Sequence, residues 1–349
     1  MKLRFLIIIA AFAAGACFAE PTNRLEAVSH ASETAANTND PVELEYQKLM
    51  EDDETALTEI DGWIKENQNF ADQGGGKSKE EMNERVQKRV APVRQAYEDF
   101  LKRNPNHGKA HLAFASFLED IHDEDGALEH MLKAKEVDPK NPAAWNNLAN
   151  YYGHFGEVTN AFYHYEKAIE LDPKEPVYYH NFGTTVFLFR KDVMEYYGMT
   201  NEQLVFDKAL TLYSNSLRLD PTNFLLATDI AMTYYGIKPI RTEEALKSWQ
   251  YALKLAEGSL QREGVYIHLA RFNMNAGHFD EAHKLMNSVT NSELNDLKVR
   301  LLKNLDLREH PEKETNTVSS VTTNELPAAL PPVNSPPSTP AKHDHDHEH

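Results

Sequence analysis

From Pro41 to Glu309 apolar residues recur three and four positions apart, and the strict alternation of a half-buried strand is scarce. That spacing predicts helices, each with one apolar stripe for burial. The clearest pair has Trp145, Leu148, Ala149 and Tyr152 on a first helix, then Ala161, Tyr165 and Ala168 on a second. Punctuation repeats along with the helices. Pro105, Pro139 and Pro173 are evenly spaced, and Pro221 follows after the same interval plus an insertion. Val137-Asp138-Pro139, Leu171-Asp172-Pro173 and Leu219-Asp220-Pro221 form a shared stop, and Ala127 and Ala134 recur one interval on as Ala161 and Ala168. A proline at that place ends the helix before it and sets the turn into the next.

The stretch 142–175 reads Trp145-x2-Leu148-Ala149-x2-Tyr152, then Ala161-x3-Tyr165-x2-Ala168-x4-Pro173, and resembles the tetratricopeptide repeat. The proline interval matches that family's period of about 34 residues. Small residues suit the close crossing of two antiparallel helices, and the large rings fill the space between successive pairs. Neighbouring copies keep the register. His111, Phe114, Ala115 and Leu118 precede it; Tyr179, Phe182, Gly183 and Val186 follow, then Ala227, Ile230, Ala231 and Tyr234, then Tyr266, Leu269 and Ala270. The resemblance implies an all-α fold, a right-handed superhelical solenoid of antiparallel helix pairs. It divides the chain into N-terminal helices over 42–107, about five repeats over 108–290 and a closing helix over 291–309. An insertion near 187–204 carries Phe187, Phe189, Tyr196 and Tyr197. It is expected either as a lengthened loop that covers the solenoid edge or as an aromatic ligand contact. Thr200-x2-Gln203 reads as a capping box, which starts the following helix near Asn201.

The resemblance also implies that first helices line a concave binding face. The residues between packing positions there are Asn146, Asn150 and His154, then His180 and Thr184, then Thr228 and Met232, then His268 and Arg271 or Phe272. Asn146 and Asn150 resemble the asparagine ladders by which some members of this family hold a peptide main chain, since an amide both donates and accepts. The family's carboxylate clamp is expected to be missing, because Leu112, Ser116, Asn146, Asn150, His180 and Thr184 hold its places without a Lys or Arg. His107 and His111 lie four apart, but a turn position and a packing position make them structural.

Charge and the chain ends narrow the function. The formal charge is −18, an unfavourable balance for a nucleic-acid ligand. Lys2, Arg4, the apolar run from Leu6 to Ala14 and the small residues through Ala19 have the layout of a secretory signal peptide over 1–19. Its loss would take the charge to −20. Ala14-Gly15-Ala16-Cys17 resembles a bacterial lipobox, so a lipid on Cys17 is the one membrane anchor the sequence offers. Cys17 is the sole cysteine, so no intramolecular disulfide can form. A polar leader over 20–41 and a Pro/Thr-rich tail over 310–349 are expected to be disordered. His343, His345, His347 and His349 alternate with acidic residues and could take zinc, nickel or copper adventitiously; no cofactor is required. No GxSxG, phosphate loop, HExxH or CxxC is present. The sequence therefore predicts an exported, non-catalytic scaffold, periplasmic or extracellular, that binds a protein or peptide. The alternative is a metal-handling protein working through its histidine tail.

Overall fold

The computed structural model describes residues 40–71 and 74–311. The signal peptide, Cys17, the leader up to residue 39 and the histidine tail lie outside the described residues. What is described is all-α, with no helix long and apolar enough to cross a membrane. Two compact units divide within the chain at Leu226 and Ala227.

The first unit opens with two long helices, α1 (Pro41–Ala71) and α2 (Lys79–Arg103). Ser78 and Glu81 close a capping box at the start of α2. The buried stripe of α1, Tyr46, Leu49, Ala56 and Ile60, follows helical spacing and packs with Val90, Val93, Tyr97 and Phe100 of α2. Asp53 lies inside that seam and accepts a hydrogen bond from the Tyr97 hydroxyl at 2.6 Å. Three shorter pairs come next: α3 (Gly108–Asp120) with α4 (Glu124–Val137), α5 (Pro142–Phe155) with α6 (Val158–Leu171), and α7 (Pro176–Leu188) with α9 (Glu202–Leu219). The small residues sit where close crossing needs them. Ala127, Ala149, Ala161, Ala168 and Ala209 are wholly buried, and a Cβ on Gly183 would come within 2.9 Å of the Tyr213 ring.

A repeating hydrogen bond pins each of these pairs to the turn before it. His111, Trp145 and Tyr179 hold the same place in successive repeats, and each donates a side-chain hydrogen to the carbonyl six residues upstream. The acceptors are Pro105 at 3.0 Å, Pro139 at 2.9 Å and Pro173 at 3.1 Å. Three different side chains share one task because the task needs only a ring with a hydrogen to donate at its far end. In the same turns Asp138 and Asp172 accept from the main-chain N–H of Lys140 and Lys174.

The insertion is more ordered than a lengthened loop. It forms a short helix, α8 (Arg190–Tyr197), ended by Gly198 in the left-handed conformation. Its tyrosines lean on α6: Tyr196, 42% exposed, and Tyr197 pack on Phe162 with centroids 5.3 and 6.0 Å away, and the Tyr197 hydroxyl donates to Glu166 at 2.6 Å. The cap of α9 is Asn201, which accepts from the Leu204 N–H, one residue past the Thr200 that the capping-box pattern picked out.

The second unit contains α11 (Thr242–Leu255), α12 (Gly258–Asn275), α13 (Phe279–Asn287) and α14 (Asn295–Glu309); α10 (Phe224–Thr233) spans the division. The closing helix α14 packs Leu301 and Leu305 onto Ile267, Ala270, Met274 and Met286. The carboxylate of Glu263 ties the turn before α14 to α12 by accepting from the N–H groups of Thr290 and Asn291, both at 2.6 Å. Those hydrogen bonds hold its pKa below the ordinary carboxylate value.

Candidate functional site

In the first unit, α5 and α7 carry most of the residues expected to meet a ligand. Local sequence explains both helices. Asn141 and Glu175 cap them, and Pro142 and Pro176 take the first helical position, where no N–H is needed.

The expected asparagine ladder is internal. Asn146 is only 2% exposed, and its side-chain oxygen accepts from the Asn181 amide at 3.3 Å. Asn150 accepts from the Tyr165 hydroxyl at 2.7 Å. Thr184 holds the place of Asn150 in the next repeat and accepts from the Tyr213 hydroxyl at 3.1 Å. In both repeats a second-helix tyrosine reaches across to the polar residue of its first helix. These polar groups serve the framework, which corrects the expectation of an open ladder. His180 is half-buried, with its ring centroid 5.7 Å from that of Tyr213. His154 is exposed.

Two exposed residues escaped the sequence reading. Phe155, 54% exposed, ends α5 beside His154, and Leu188, 46% exposed, ends α7. Each is a large apolar residue at the last position of a first helix, one step outside the packing pattern, and that position was the available signal.

Arg271 belongs to the second unit and lies half-buried with its guanidinium 5.7 Å from the Tyr235 ring centroid. In the same cluster His268 stacks flat on Trp249, centroids 4.1 Å apart, and pairs with the Tyr235 hydroxyl at 3.0 Å. Burial, with a smaller push from Arg271, drives the His268 pKa down to about 3. Among the described residues no group of three or more His, Cys, Asp or Glu side chains is arranged to hold a metal.

His111 and His130 form a second cluster, on α3 and α4. Pro105 O can only accept, so His111 carries its hydrogen on Nε2 and offers Nδ1 as an acceptor. His130 Nδ1 therefore donates to His111 Nδ1, at 2.8 Å. Burial, then His111, pushes the His130 pKa from 6.5 to about 4, against the opposing pull of Glu129 and Asp123. A histidine with a lowered folded pKa adds stability that is whole above the unfolded value and lost as pH falls toward the folded one. Between pH 6.5 and 4 the wild-type protein should therefore lose stability through this residue. Its partial exposure discounts the contribution to about 1–2 kcal/mol. His130→Gln keeps a donor for His111 and cannot titrate. Urea unfolding across that window should show the wild type losing the larger amount; equal losses would remove His130 from the balance.

Comparison with known proteins agrees with this architecture. Residues 142–175 match the family model of the tetratricopeptide repeat. The unit formed by α5 and α6 is thus a tetratricopeptide repeat. No curated protein matches it. Solved structures with a similar fold include PilF of Pseudomonas aeruginosa, 16% identical, with a TM-score of 0.45 over 75% of this chain and 100% of that one. The type IV pilus biogenesis factor PilW is 15% identical, with a TM-score of 0.46 over 62% of this chain and 94% of its own. YrrB, described as having an unusual peptide-binding site, is 15% identical, with a TM-score of 0.43 over 63% of this chain and 99% of its own. Likeness at this level says nothing of what the present chain binds.

Proposed function

We propose that this protein is a non-catalytic interaction scaffold of the cell envelope, which holds a peptide or protein partner along the first-helix face of α5 and α7. The observation that carries the reading is the exposed trio His154, Phe155 and Leu188 at the ends of helices whose Asn150 and Thr184 are engaged internally. A rigid framework with a few exposed apolar and aromatic anchors binds by adding contacts without reordering itself. The envelope assignment rests on the export-like head from Lys2 to Ala19, and Cys17 offers a lipid tether.

Photo-crosslinking tests the face. The reactive residue p-benzoylphenylalanine is placed at Phe155 and, as a control, at exposed Glu136 on α4. In the envelope fraction of the native host, position 155 should yield a discrete protein adduct that position 136 does not. Adducts shared by both positions, or none at 155, would mean that this face is not the binding surface.

A further inference from the structure

The two helices of the proposed face share a property unusual in so acidic a chain. α5 and α7 contain no Asp, Glu, Lys or Arg, and among the described residues every other α-helix contains at least one. The uncharged runs extend past the helices, over 141–156 and 176–189. Of the histidines on this face, half-buried His180 has its pKa lowered by burial. A charged ligand segment laid here would lose hydration and find no counter-charge, a cost of several kcal/mol per ion. Three acceptors that could have gripped a main chain, on Asn146, Asn150 and Thr184, already take hydrogen bonds from Asn181, Tyr165 and Tyr213. What stays open is aromatic and apolar: Phe155 with the Tyr151 ring 5.4 Å from it, His154, and Leu188. Such a surface fits an uncharged segment rich in proline and small apolar residues, which needs few hydrogen bonds and packs well on aromatic rings.

The same protein contains such a segment. Residues 326–341, between Glu325 and Lys342, carry no charged side chain and include Leu326, Leu330, Val333 and six prolines. We propose that the first-helix face of α5 and α7 binds this protein's own proline-rich segment 326–341, which a partner must displace. The proposal rests on the face named under Proposed function and adds the chemistry of its ligand: uncharged, proline-rich and held without ion pairs. Binding should therefore be nearly insensitive to salt, whereas attraction of a cationic partner to a chain of net charge −18 would be screened.

The test uses the purified full chain with the photo-reactive residue at Phe155, irradiated alone and mapped by mass spectrometry. The expected result is an intramolecular adduct to 326–341, of equal yield at about 50 mM and about 500 mM salt. A full-length variant whose leucines, valine and prolines in 326–341 become serine and glycine should lose that adduct. The same variant should form the partner adduct in envelope fraction in higher yield. An adduct that maps elsewhere, survives the replacement or disappears with salt overturns the proposal. If the tail adduct is missing while the partner adduct forms, self-occlusion alone fails. If both are missing, the binding face itself is wrong.

Discussion

Phe162→Ala is expected to be among the most damaging single substitutions in the first unit, costing about 3–5 kcal/mol. The ring is fully buried on α6 and has aromatic neighbours on two other helices, Phe182 of α7 at 6.3 Å and Tyr196 and Tyr197 of α8. Removing it opens a cavity that helices fixed by their own turn bonds cannot close. The loss should fall first on α8, whose eight residues are too few to be stable alone and which leans on this ring. Urea unfolding should show a lower midpoint at an unchanged slope, and amide exchange should rise most over 190–197. A loss below about 1 kcal/mol, or exchange unchanged in α8, would mean that the insertion holds itself in place.

How much of this the sequence disclosed depends on what each residue does. The helices and their pairing were legible because burial imposes a period, and because alanine and proline at fixed offsets have steric reasons that no other residue supplies. Ala149, Ala161 and Ala168 needed nothing more to be read as crossing points. The turn bonds of His111, Trp145 and Tyr179 were hidden behind three residue names, although the shared role lies in the donor hydrogen. The insertion was expected as a lengthened loop or an aromatic ligand contact, not a helix, because Arg190–Tyr197 is shorter than a helical pattern usually needs to show itself. Its tyrosines depend on Phe162 and Glu166 of another helix, which a one-dimensional pattern does not bring near. Asn150 misled for the opposite reason. Its place on the helix was read correctly, but a tyrosine 15 residues away claims it.

That claim can be measured. Tyr165→Phe should destabilise the protein by about 1–3 kcal/mol, since it leaves the Asn150 carbonyl without its hydroxyl partner in a largely buried seam. The ring itself is kept, so the stacking on Phe182 at 5.3 Å and the packing volume survive, and the loss reports the hydrogen bond. Thr185, whose hydroxyl lies 3.2 Å from the Tyr165 oxygen, retains the Asn181 carbonyl as an alternative acceptor at 3.0 Å. The effect should therefore centre on Asn150. A double-mutant cycle with Asn150→Ala should show coupling of at least about 0.5 kcal/mol, so that the second substitution costs less once the first is made. Additive losses would mean that the amide does not depend on the tyrosine and is free to meet a ligand, which would bring back the open asparagine ladder. Strong coupling assigns the amide to the framework and leaves the proposed binding surface to Phe155, His154 and Leu188.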